Sequence, residues 1–475
     1  FDFHQSVNLE AAGLRAVVLD GGALAGYGDV DVVVRGSRIT LANSGGMTDP
    51  AGADPGAASL TLAADTIVLG AGEKRASGFD RVSLVAADRI VGQGQGVFDA
   101  GAADLALDAP VLTGSGAANL VVRTRGRLDV LPAVVAAPEA EASQDSLGSR
   151  LALSGGSVRV GGRIEALGGT VSITATAGDV TLADGGVVDV GGFAKQFFDL
   201  SEYADAGRVE LAAVDGSVRV EAGSTLNLSA QAGGGSAGTL ALTAGNGGGV
   251  LLAGNVGAHA GEGGQAGSLS LDIDALPDFG AFNARLNEAG FLQARDFRIR
   301  NGDVTLDGHT RVEQFTLSAD RGRIDVVGTV DARAGYGGVI RIIGGGGVAL
   351  RDGAELLAGA TEAIGSGRVT LVAADGTADL AGGLIDVAGG QGGRVLVQAR
   401  RHADNLDLAV DRLATRVIGA GSAAIEGTRS YESASVDAVR QLVIDEALAF
   451  ASRRDAIAAR LGGAAGWTVA AGVEI

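Results

Sequence analysis

Residues 367–400 read GRVTLVAADGTADLAGGLIDVAGGQGGRVLVQAR. Short apolar stretches are cut apart by glycine-rich breaks, and the opening Gly-Arg-Val-Thr-Leu-Val returns from Gly393 as Gly-Arg-Val-Leu-Val-Gln. In Arg368-Val369-Thr370-Leu371 the second and fourth residues are apolar, the first and third polar. Alternation of period two marks a strand with one buried face. The same unit follows Gly169 (TVSI), Gly207 (RVEL), Gly238 (TLAL), Gly267 (SLSL) and Gly338 (VIRI). The starts fall at 170, 208, 239, 268, 339, 368 and 394; most spacings are 26 to 31 residues, and the longer ones contain insertions.

Between these starts lie further short strands, such as DVTLAD at 179–184 and VVDVGG at 187–192. One period therefore holds three strands, each closed by Gly, Asp-Gly or Gly-Gly. A propeller blade needs about 40 residues, and a leucine-rich repeat needs its own consensus. Antiparallel sandwiches do not require one strand to recur at this spacing. Three strands per coil, each stacked on its copy in the next, predict an all-β fold: a right-handed parallel β-helix, or solenoid, extended as a rod. The pairs Val369/Leu371, Val395/Val397, Ile340/Ile342 and Val209/Leu211 are predicted to point inward. Residues 1–131 read as less regular coils and 149–430 as regular ones. Residues 464–475 read as the start of further coils.

Composition agrees with this architecture. The chain has 80 glycines in 475 residues, far above the usual share of about 7%. It has only 6 prolines, so it is neither collagen-like nor a proline-rich linker. Apolar residues at 46% permit a large core, while aromatics at 4% leave that core to Val, Leu, Ile and Ala. Cysteine is absent, which removes disulfides and thiolate chemistry. The net charge of −19 and the presence of only two lysines, Lys74 and Lys195, argue against a nucleic-acid partner. No apolar run approaches the ~20 residues of a membrane span. No signal peptide opens the chain, so targeting is expected to have been removed or to lie in a longer polypeptide.

Four segments interrupt the pattern. PAVVAAPEAEASQDSLG at 132–148 is acidic and proline-containing, and reads as an excursion loop. FAKQFFDLSEYADAG at 193–207 gathers Phe193, Phe197, Phe198 and Tyr203 in a chain otherwise poor in aromatics. Two readings stand: a loop folded back to cover a coil, or a partner-recognition patch. The four aromatics are the candidate contact residues, with Lys195, Asp199 and Glu202 beside them. Residues 277–291 predict a helix, with Asp278 at its start, Gly290 at its end, and Phe279, Phe282 and Leu286 on one side. Residues 431–463 form a helical excursion. From 435 its stripe is Val439, Leu442, Val443, Ala447, Phe450, Ile457 and Leu461, with Arg460 in the last turn and Gly462 as the stop. Both helices read as covers over apolar surface, with docking as the alternative.

No residue set assembles into catalytic, cofactor-binding or metal-binding chemistry. His4, His259, His309 and His402 have no second histidine at ligand spacing. GQGQG at 92–96 leads into VFDAG and not into a helix that could receive a phosphate. Arg123, Arg125 and Arg127 fall on one strand face as a row, either solvated or turned to an acidic partner. Abundant carboxylates keep a β-helical polysaccharide-binding or polysaccharide-cleaving enzyme as the alternative class.

The coils GGSVRVGGRIEALGGTVSITATAGDVTLADGGVVDVGG, the segment LDAPVLTGSGA and the stretch FNARLNEAGFLQARDFRIRNGDVTL resemble the filamentous-haemagglutinin-like large exoproteins of Gram-negative bacteria. That resemblance implies a structural shaft of a secreted or cell-surface adhesin, exported by two-partner secretion. Its partners would be an outer-membrane transporter, host-cell or bacterial surface ligands including carbohydrate, and other fibre subunits. Its roles would be adhesion, aggregation or biofilm formation, with no cofactor and no enzyme activity. The segment shows neither the family's amino-terminal secretion domain nor a carboxy-terminal toxin, and the chain is expected to continue past Ile475.

Overall fold

The computed structural model describes residues 1–10, 15–46, 57–132, 146–433, 435–462 and 466–474. The expected excursion at 132–148 lies largely outside them. Strands take 55% of the chain and helices 8%, so the protein is predominantly β. Contacts divide it into two compact units, Phe1–Leu269 and Ser270–Ile475.

The regular part of the first unit is a set of three-strand repeats. Thr170–Ala175, Val180–Leu182 and Val187–Asp189 make one. Arg208–Ala213, Val218–Val220 and Thr225–Asn227 make the next, followed by Thr239–Ala244, Val250–Leu252 and Asn255–Gly257. Each strand pairs in parallel with its counterpart one repeat on, so Val171, Val209 and Leu240 align, as do Leu182, Val220 and Leu252. All six are buried. The glycine before each first strand is required by backbone proximity: a Cβ on Gly207 would overlap the Gly169 carbonyl oxygen, and one on Gly238 the Gly207 carbonyl oxygen. Chains passing that close admit only glycine.

Toward the amino terminus the strands lengthen. Asp31–Ala42, Ala58–Leu69, Phe79–Asp99 and Leu112–Arg123 pair in parallel in that order. The three-short-strand pattern does not hold here. Gly92 to Gly96 bend within the 21-residue strand Phe79–Asp99 instead of closing it, with Gly94 at φ +68°. The expected row of Arg123, Arg125 and Arg127 is likewise broken. Arg125 lies between the strands Leu112–Arg123 and Arg127–Leu131, Arg123 pairs with Asp99 and Glu73 at 3.0 Å each, and Arg127 with Asp129 at 2.8 Å.

The second unit repeats the scheme on three faces. Ala294–Ile299, Gln314–Ala319, Val339–Gly344, Arg368–Ala373, Gly393–Arg400, Ala420–Ser430 and Trp467–Glu474 pair in parallel, each with the next. Two five-stranded parallel sheets supply the other faces, one running from Val304–Leu306 to Val410–Leu413 and one from His309–Arg311 to Arg416–Ile418. Phe297, Leu317, Ile342, Leu371, Val397 and Ile425 form one aligned, buried column. Val369, Val395 and Ile340 are buried in the neighbouring column. Outside, parallel register would bring like charges together, and the signs alternate instead. Arg351 bridges Asp325 at 2.7 Å and Asp379 at 2.9 Å, and Arg412 also reaches Asp379 at 2.9 Å. The Arg412 hydrogen bond and the surrounding guanidinium charges hold the Asp379 carboxyl below its usual range.

The two helices close on apolar surface within the second unit. Phe279–Ala289 starts at Asp278, whose carboxylate accepts the Ala281 N–H at 2.9 Å, and stops at Gly290 with φ 88°. Its Phe279 ring lies 5.1 Å from Phe297, which lies 5.8 Å from Phe315. The predicted helix from 435 is two helices, Val436–Ala451 and Arg454–Arg460. The chain breaks at Ser452–Arg453, where the Arg453 N–H bonds to Phe450 O at 2.9 Å. That break lets Phe450, Ile457 and Leu461 all be buried. Leu442 departs from the expected stripe and is 51% exposed, because at about 100° per residue it falls roughly 80° around the helix from Phe450. Among the described residues no helix is long and apolar enough to cross a membrane.

One buried charge in the first unit has a measurable consequence. Lys74 is 2% exposed, and its Nζ donates to the carbonyls of Gly70, Gly72 (2.7 Å) and Ala71 (3.4 Å). Burial pushes its pKa down from 10.5 to about 8. Between those values the unfolded chain binds the proton that the folded chain has released, so stability rises with pH across that window and the penalty is complete below it. Relative to Lys74→Met, the unfolding free energy of the native chain is expected to gain up to about 3 kcal/mol between pH 8 and 10.5. Parallel pH profiles from denaturant titration would contradict the assignment.

Candidate binding surface: the hairpin at residues 193–204

Between the strand Val187–Asp189 and the strand Arg208–Ala213 the chain leaves the repeat and returns as an antiparallel hairpin, Phe193–Phe197 with Leu200–Ala204. The insertion was expected as a loop. Alternation along Phe193, Lys195 and Phe197, answered across the turn by Leu200, Glu202 and Ala204, makes it a two-stranded ribbon instead. The turn is Phe198–Asp199. Phe198 takes φ +54°, a left-handed conformation that is strained for a side chain of this size. The Gln196 side-chain amide steadies the turn by donating to Phe198 O at 3.1 Å.

The base of the ribbon is tied to the following repeat. Gly192 N donates to Ser229 O and Ala206 N to Ser236 O, each at 2.9 Å, and the Gln231 amide donates to Gly192 O at 2.7 Å. The Tyr203 ring lies on the backbone of Gly233 and Gly234, where any Cβ would overlap it. Gly234→Val is therefore expected to displace Tyr203 and loosen the hairpin while sparing the repeats. The check is faster hydrogen exchange at 193–204 with unchanged exchange at 208–213; unchanged exchange at both would sink it.

The aromatics do not cover a core. Phe193 is half-buried, Phe197 is 48% exposed, Phe198 is 99% exposed, and Leu200 and Tyr203 are also exposed. Leu147, Phe193, Lys195, Phe197, Glu202, Tyr203 and Ala204 enclose a recess of about 280 Å³. Lys195 holds its ammonium 5.2 Å from the centre of the Phe197 ring, a cation–π distance. Lys195 stands directly across from Glu202. The surface thus offers flat apolar rings, an opposite-charge couple and a shallow recess. These groups recognise partners by contact area and orientation.

The other sequence candidates remain scattered. His4 stacks on Tyr27 at 4.4 Å, and among the described residues no group of three or more His, Asp or Glu side chains gathers as a metal would require. Two buried cations escaped the sequence reading. Arg295 occupies an inward position in register with Phe315 and donates to Asn283 Oδ1 at 2.7 Å, Asn287 Oδ1 at 2.8 Å and Phe291 O at 2.8 Å. Arg401 lies 4.8 Å from the Phe450 ring and donates to Gly427 O and Gly472 O, each at 2.8 Å. Both pin helices to the sheet. A charge at an apolar-phase position, as in Arg295-Asp296-Phe297, was the available signal for the first.

The class these features define is a predominantly β protein of parallel-paired three-strand repeats bearing an exposed aromatic hairpin. No protein-family model, curated protein or solved structure matches the chain.

Proposed function

We propose that the chain is a right-handed parallel β-helix serving as the structural shaft of a secreted or surface-attached bacterial adhesin of the filamentous-haemagglutinin-like kind. In this proposal the hairpin at 193–204 is a contact element. The observation that carries it is the hairpin itself: a regular series of in-register parallel repeats holds out one rigidly based insertion whose rings face solvent. Right-handedness follows from the strong preference of parallel crossovers. Repetitive faces select weakly, whereas an insertion is free to acquire specificity. Export through an outer-membrane two-partner-secretion transporter, and a role in adhesion, aggregation or biofilm formation, come with the resemblance.

Beads coated with the chain are to be tested for adherence to bacterial and epithelial cells, beside a panel of acidic and neutral polysaccharides assayed for new reducing ends. Adherence reduced at least tenfold by the double variant Phe197→Ser, Phe198→Ser, with folding intact, supports the proposal. Polysaccharide cleavage would replace it with the enzymatic alternative, and adherence insensitive to the double variant would remove the hairpin from it.

A further inference from the structure

We infer that the partner of the hairpin is the same hairpin on a second copy of this chain, the two related by a twofold axis. The inference rests on the hairpin being a contact element. Three observations select a self-contact. First, the ribbon carries both a knob and a hole: Phe198 at the tip is 99% exposed, and the recess of about 280 Å³ beside Phe193, Phe197 and Tyr203 has room for a phenyl ring. Second, the charges are self-complementary. Lys195 and Glu202 occupy facing positions on the ribbon, and Lys195 spends its charge on the Phe197 ring. A twofold axis places each Lys195 against the other copy's Glu202, the signature of an isologous contact. Third, both outer edges of the ribbon are free of further strand pairing among the described residues, so nothing blocks approach along its length.

Size sets the strength. A ribbon of two five-residue strands offers a few hundred Å² per copy, below the roughly 800 Å² per partner of a stable complex. The contact is therefore weak between isolated copies, with a Kd on the order of 100 μM. Arrayed copies would reinforce it through effective concentration.

Sedimentation equilibrium of the whole chain over a wide concentration range is the test, with circular dichroism confirming that each variant folds. The native chain is expected to show a monomer–dimer equilibrium, and Phe198→Ser to weaken it at least tenfold. Lys195→Glu alone and Glu202→Lys alone should each be monomeric, since each sets like charges against each other across the axis. An equimolar mixture of the two should dimerise again, because both facing pairs are then opposite in sign. Like-charge repulsion inside each variant's own ribbon persists in the mixture, so recovery can come only from the second chain. A monomeric native chain, singles that dimerise like it, or a mixture that stays monomeric would each overturn the self-contact. If the native chain is monomeric while Phe197→Ser, Phe198→Ser still abolishes adherence, the hairpin binds a different partner and the proposed function survives; loss of both would end both.

Discussion

Val369→Asp is expected to destabilise the second unit by about 5 kcal/mol or more, because an unpaired carboxylate would replace a valine with no exposure to water. Val369 is aligned between Ile340 and Val395, so all sides of the new charge are apolar. Arg368→Asp, one residue away on an exposed position beside Arg394, should change stability by less than about 1 kcal/mol. The carboxyl at 369 would have a folded pKa raised above its unfolded value. The deficit should therefore be full at pH 7 and shrink as pH falls toward about 4, where the folded chain keeps the proton. Hydrogen exchange on Val339–Gly344 and Gly393–Arg400 reads the damage directly, since these strands flank the site. Equal effects of the two substitutions would mean that the register is wrong.

Phe297→Ala should cost about 3–5 kcal/mol, the range for deleting a fully buried aromatic ring. Phe297 sits at the centre of a cluster, 5.1 Å from Phe279, 6.4 Å from Phe282 and 5.8 Å from Phe315. Two of those neighbours belong to the helix Phe279–Ala289, so the cavity would open beneath the helix and weaken its seat. Near-ultraviolet circular dichroism should lose intensity along with the stability. Phe297→Leu, which keeps part of the volume, should recover roughly half of the loss. A loss below about 1 kcal/mol for the alanine variant would mean that the helix does not depend on this cluster.

The repeat was legible because it is local. Alternation at Arg368-Val369-Thr370-Leu371 settles which side chains are buried without reference to any distant residue, since successive side chains of a strand point to opposite faces. Recurrence of that unit every 26 to 31 residues then requires equivalent strands to meet, and the observed register joins Val369 to Val395. The helix at 279–289 was readable for the same reason, its cap, stop and buried side all lying within a dozen residues. Aromatic concentration marked 193–207, although its ribbon form was missed because hairpin pairing was weighed only for the main sheets.

What the chain alone determined is therefore the strand phase, the repeat length and the places where the pattern breaks. The tertiary structure alone decided where the breaks point. Phe198 is exposed and Phe279 buried although both are phenylalanines in insertions, because one segment has a strained turn facing solvent and the other has Phe297 and Phe315 to cover. Arg295 is tolerated at an inward position only because Asn283, Asn287 and the Phe291 carbonyl arrive from the neighbouring helix and turn. Likewise the single helix expected from 435 divides at Ser452, since one straight axis could not bring both Phe450 and Ile457 against the sheet. Burial of a charge or a ring is set by which groups surround it in space, and those groups lie outside the local window in which periodicity is read.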